Sequence, residues 1–180
     1  DGTLIDSSQD LANSVNFMLQ SLDLPSRSLT QVESFIGDGV TKLILRCLGN
    51  NQEQYLDKGM LIFKEHYSQH SCDQTKLYPG ILELLTHLRK LHVTIAVITN
   101  KPEQPSESIL TKLEVISFFD TVIGGDTCER MKPDPMGIEL LMKKWNLCKE
   151  ELLVIGDHST DMQLATNASV DSVFCSYGIG

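Results

Sequence analysis

No apolar run in this 180-residue sequence approaches the roughly 18 residues that a membrane-spanning helix needs. Basic residues are also scarce: 15 Lys and Arg stand against 24 Asp and Glu, for a formal net charge of −9. That balance excludes a general nucleic-acid binder, whose phosphate contacts need clustered Lys and Arg. An anionic substrate would need local positive charge in its site, or a bound cation. The five cysteines (Cys47, Cys72, Cys128, Cys148 and Cys175) are odd in number and not closely paired. They read as reduced thiols, against a disulfide framework or zinc site, and point to a cytoplasmic protein. Internal repeats and low-complexity tracts are absent. So is an initiating methionine, and the chain is therefore expected to begin inside a longer protein. A signal peptide upstream would be hidden.

What is present is ordinary for a soluble globular protein, with 41% hydrophobic and 22% charged residues. The length suits one sizeable core, or a core carrying a smaller insertion. From Ser7 to about Lys76 the apolar periodicity is helical. Leu11, Val15, Met18, Leu19 and Leu22 share one face, and Val40, Leu43, Ile44 and Cys47 follow the break Gly37-Asp38-Gly39. A third helix is expected over Gln52–His70, with Tyr55, Leu56, Met60, Ile62 and Phe63 on its buried side.

The pattern changes at Tyr78-Pro79-Gly80, a turn signal. Helices are expected at Ile81–Leu91, Glu103–Leu113 and Pro135–Trp145, and from near Ser159. Val93–Ile98 and Leu152–Ile155 read as strands buried on both faces, with shorter strands at Thr121–Ile123 and Ser172–Cys175. Strands alternating with helices imply a parallel sheet covered by helices on both faces, an α/β fold of Rossmann-like type. Ligands bind beyond the carboxyl ends of such strands. The polar residues there are Thr99-Asn100-Lys101, Gly124-Gly125-Asp126 and Gly156-Asp157.

Within GDHSTD, Asp157 and Asp161 would suit a hard cation such as Mg²⁺, although helix-capping acids would look the same. Thr99 and Asn100 would donate to an oxyanion, or simply form a turn before Pro102. Lys132, ahead of a proline-fixed loop, would neutralise a phosphate as a point charge or lie solvated. Asp1-Gly2-Thr3 completes the set if an apolar strand precedes it, with Gly2 allowing a tight turn. The order of these clusters along the chain is more specific than any one of them.

That order resembles the haloacid dehalogenase superfamily of aspartate-nucleophile phosphotransferases. DGTLIDS is similar to the second half of its first motif, and Thr99-Asn100 to its second. Lys132-Pro133 resembles its third, and Gly156-Asp157 with Asp161 its fourth. VITNKP, GGDT, KPDP and FIGDGVTKLILRCLG are similar to phosphoglycolate phosphatases. The resemblance implies a helical cap at 8–76 inserted into a core formed by 1–7 and 77–180. It also implies a nucleophilic Asp two positions upstream of Asp1, outside this sequence. Asp1 would be the general acid–base and give a backbone carbonyl to Mg²⁺, with Asp157 as ligand and Asp161 orienting the metal's waters or Lys132. Thr99, Asn100 and Lys132 would bind the phosphoryl oxygens, whereas Lys101 would serve its loop. An acid at Asp1 favours phosphoester chemistry over dehalogenation, because a halide leaves without a proton.

Specificity is expected from the cap, where Gly37 lets a substrate approach and Lys42 or Arg46 would meet a carboxylate, or else the turn merely caps its helix and both basic residues are solvated. Thr3 would add a hydroxyl at the substrate. His158 departs from the serine usual after the motif Asp. Against the family, the central first strand and the closing strand and helix are missing, as in a chain truncated at both ends. The expected ligand is a small phosphorylated metabolite, with neither nucleic acid nor membrane as partner, and the protein a monomer or homodimer. A sugar-phosphate mutase or phosphatase and a pyrophosphatase share every core motif. A non-catalytic binding module would keep the fold, and a response-regulator-like receiver would lack the cap.

Overall fold

The computed structural model describes residues 1–180, the side chains of Gln52 and Glu53 excepted. Two short antiparallel strands, β1 (Ile5–Asp6) and β2 (Lys76–Leu77), bracket the helical stretch, with Ile5 opposite Leu77. Lys76, which the sequence pattern assigned to the helical block, is thus already in a strand.

Between them lie α1 (Ser8–Ser21), α2 (Leu29–Glu33), α3 (Val40–Leu48) and α4 (Gln52–His70). The apolar faces of α1 and α3 supply Leu11, Val15, Met18, Leu19, Leu43, Ile44 and Cys47 to one buried cluster, joined by Phe63 and Tyr67 of α4. Each aliphatic side chain so buried stabilises the fold by about 1.5–3 kcal/mol. Tyr55, Leu56, Met60 and Ile62 are only partly buried against this cluster. The short helix α2 was not expected. It is closed by a capping box, in which Ser28 Oγ accepts from Gln31 N while Gln31 Oε1 accepts from Ser28 N.

The block is also fastened by a buried carboxylate. Asp10 Oδ2 accepts from Thr75 N at 2.8 Å and Thr75 Oγ1 at 2.7 Å, and Asp10 also accepts from Gln74 N. The start of α1 is thereby pinned to the entry of β2.

The remainder alternates helix and strand: α5 (Ile81–Lys90), β3 (Ala96–Ile98), α6 (Glu103–Lys112), β4 (Thr121–Ile123), α7 (Met136–Trp145), β5 (Leu153–Gly156), α8 (Ser159–Ala168) and β6 (Asp171–Phe174). β3 pairs in parallel with β4, and β5 in parallel with β6. Among the described residues the two pairs share no ladder hydrogen bonds, so the expected single sheet is present as two halves. Ile138 of α7 and Leu164 and Ala168 of α8 form a buried cluster that both Ile98 and Val154 join. The halves are therefore bridged by helices on one side.

Val93–Ile98 and Leu152–Ile155 are not buried on both faces as expected. Leu153 is 55% exposed and Ile155 45%, while Val154 between them packs inward. Strand side chains alternate between faces, and among the described residues no helix covers the face on which Leu153 and Ile155 lie.

Candidate active site

The carboxyl ends of β3 and β5 and the turn before β1 open on one cavity of about 500 Å³. Asp1, Gly37, Thr99, Asn100, Lys101, Lys132, Asp157, His158 and Asp161 all line it. These residues span almost the whole chain, and only the crossing of strands and helices brings them together.

Asp157 follows β5 and is 3% exposed. Its Oδ1 accepts from Thr3 Oγ1 at 2.8 Å, and its Oδ2 from the N–H groups of Ile179 (3.1 Å) and Gly180 (3.0 Å). Gly2, at φ +78°, lies so close that a Cβ there would overlap the Asp157 carboxylate. Glycine is therefore required by both its conformation and its neighbour. Thr3, expected at the substrate, instead orients Asp157.

Asp161 lies in the first turn of α8, and both its oxygens are committed. Oδ1 accepts from Lys132 Nζ at 2.7 Å, and Oδ2 from His158 N at 3.0 Å. Burial opposes its charge, but the Lys132 ammonium and the His158 N–H outweigh it and hold the carboxyl below its usual value. Asp161 is thus charge-paired with Lys132 and held to the helix start.

The Asn100 amide is likewise spoken for. Nδ2 donates to the carbonyls of Gly37 (3.0 Å) and Lys132 (3.2 Å), so it fastens two loops and is not aimed at an oxyanion. Its Oδ1 is buried without a partner among the described residues. Thr99 Oγ1 accepts from Lys101 N at 3.1 Å, which leaves its own proton available to the cavity. Asp126, in the second polar cluster, caps α6 by accepting from Glu103 N.

Gly37, at φ +120°, packs against the His158 ring, where a Cβ would come within 2.7 Å of Nε2. His158 also caps α8, its Nδ1 accepting from Thr160 N at 3.3 Å. It therefore touches the Gly37 turn and does not simply face solvent. Lys42 does not reach the cavity. Its side chain is 60% exposed beside Asp38, the residue that also pairs with Arg46. The α3 basic residues neutralise their own helix start.

The sequence pattern missed three contacts. Lys101 Nζ lies 2.8 Å from Asp1 Oδ1 and 2.7 Å from Tyr67 Oη, so it belongs to the site and not merely to its loop. Its place beside Thr99-Asn100 was the available signal. Tyr67 carried none, being an apolar-face position of α4. Ser7 Oγ also donates to Asp1 Oδ1.

The sequence pattern of the family described as haloacid dehalogenase-like hydrolase matches residues 1–175. The chain belongs to that family. It is 38% identical over 184 residues to the phosphoglycolate phosphatase of Pseudomonas syringae pv. tomato, covering 99% of this chain and 67% of that protein. It is 35% identical to the phosphoglycolate phosphatase of Nitrosococcus oceani, covering 99% of this chain and 81% of the relative. Among solved structures, a predicted phosphoglycolate phosphatase from Haemophilus somnus 129PT superposes with a TM-score of 0.94 at 31% identity. That match covers 99% of this chain and 83% of the other. The α/β architecture described above is therefore that of a haloacid dehalogenase-like hydrolase.

The donors also suit a hard cation. The buried Asp157 carboxylate has hydrogen-bond donors but no cationic partner among the described residues, whereas Asp1 and Asp161 each have a lysine. Buried charges are ordinarily paired or bound to metal. Among the described residues no three His, Cys, Asp or Glu side chains converge as ligands. A cation held by one carboxylate, a backbone carbonyl and water fits that arrangement, and it fits Mg²⁺.

Proposed function

We propose that the chain belongs to a Mg²⁺-dependent phosphatase that hydrolyses a small phosphomonoester, 2-phosphoglycolate, to glycolate and phosphate. The observation that carries this reading is the meeting of Asp1, Thr99, Lys132 and Asp157 at one cavity. The names of its relatives support the substrate. In this reading residues 1–7 and 77–180 form the core and 8–76 the cap, and the enzyme works in the cytoplasm as a monomer or homodimer.

The nucleophile would be an aspartate two positions upstream of Asp1, which takes the phosphoryl group and loses it to water. Asp1 gives its proton to the leaving alkoxide and then takes one from the attacking water, a role worth about 10²–10⁴-fold. Lys132, held by Asp161, and Thr99 meet the phosphoryl oxygens as fixed donors. Asp157 and the Asp1 carbonyl would hold Mg²⁺, which offsets repulsion between carboxylate and phosphate. Asn100 and His158 keep the Gly37 turn against the core. A sugar phosphate is a second reading, favoured by a cavity of about 500 Å³ that extends to Lys64 and Ser68.

The test is turnover of a panel of phosphomonoesters by the full-length protein, with and without a chelator. Phosphoglycolate should be preferred and chelation should silence it. Asp157→Ala should abolish turnover while leaving the circular dichroism spectrum intact. Undiminished activity in that variant removes Asp157 from the mechanism.

A further inference from the structure

We propose that Tyr67 is a positioning residue which, acting through Lys101, turns one oxygen of Asp1 toward the leaving group. This rests on the reading of Asp1 as the acid–base. Lys101 Nζ is shared between Asp1 Oδ1 (2.8 Å) and Tyr67 Oη (2.7 Å) and lies 4.9 Å from the Tyr67 ring centroid. Ser7 Oγ donates to the same Oδ1. The Lys101 and Asp1 side chains are only 10% and 14% exposed, and Tyr67 is buried. Water therefore competes little for these contacts.

The consequence is an asymmetric carboxyl group. Two donors hold Oδ1, and none among the described residues reaches Oδ2, so a proton that Asp1 takes up is carried on Oδ2. As the ester P–O bond breaks, its electron pair stays on the departing oxygen, which takes the Oδ2 proton. The new bond to phosphorus is the one made by the upstream carboxylate. Tyr67 belongs to α4 and Lys101 to the loop after β3, so the helical block supports the acid through Lys101.

The experiment compares kcat/KM for two substrates in the full-length protein: 2-phosphoglycolate, whose alkoxide must be protonated, and p-nitrophenyl phosphate, whose phenolate leaves unaided. This ratio reports only steps up to loss of the leaving group, before the water step common to both. Tyr67→Phe removes one hydroxyl and keeps the ring that stacks on Phe63. It should lower the phosphoglycolate value about tenfold and the p-nitrophenyl value less than about twofold. Lys101→Met should show the same split, enlarged. Equal losses on both substrates, or no loss on either, would overturn the role of Tyr67. Asp1→Asn separates the two ideas: if it shows no such split, the reading of Asp1 fails, and the inference with it.

Discussion

Asp161 shows how a residue's partners decide its part in a site. On sequence it was one of two acids spaced like a cation pair. In the structure its oxygens belong to Lys132 and to the start of α8, and of these two acids only Asp157 has no cationic partner among the described residues. Spacing along the chain identified the acids, but Lys132 as a partner of Asp161 came only from the family resemblance, because Lys132 lies on a different loop. The folded Asp161 carboxyl titrates below its ordinary value of 3.8. Its contribution is therefore complete above the unfolded value and lost as pH falls through the folded one. Unfolding midpoints in urea should differ between wild type and Asp161→Asn by a constant amount above about pH 5. The difference should shrink below about pH 4. A gap that widened in acid would contradict the assignment.

At the scale of elements, helices were legible and strands less so. α1, α3 and α4 fell where the apolar period put them, because a buried stripe repeats every three or four residues. α2 has one buried residue, Val32, too few to make a stripe; its signal lay in Ser28 and Gln31. β3 and β5 were found by their β-branched runs, but their burial was overstated, since a run of Val and Ile does not say which faces are covered. Asp10 could not be read at all, because its partners are two backbone N–H groups and a hydroxyl more than sixty residues away. Replacing it removes the acceptor for two N–H groups and a hydroxyl, at about 1–3 kcal/mol for each group left buried. Against a total of roughly 5–15 kcal/mol, Asp10→Ala should unfold several degrees or more below wild type in a thermal melt. An unchanged melting temperature would show that the α1–β2 fastening is not needed.

The whole molecule combines strong negative charge with an apolar face on β5 and β6. Leu153, Ile155 and Val173 share that face and are each close to half exposed, and the net charge is −9. Contiguous apolar surface favours association, whereas like charge resists it over a Debye length of about 8–10 Å in 0.1–0.15 M salt. The 180-residue chain should therefore scatter more light as NaCl is raised at fixed concentration, and Ile155→Lys should suppress the rise. Salt-independent scattering would show that this face does not drive association. Asn100 has a different consequence, in time. Swinging the helical block away from the core must separate the Gly37 carbonyl from the Asn100 amide. One such bond has a net worth of about 0.5–1.5 kcal/mol, which reduces the open population about two- to tenfold. A molecule that enters only through the open form is captured more slowly by that factor, and one already inside stays for longer.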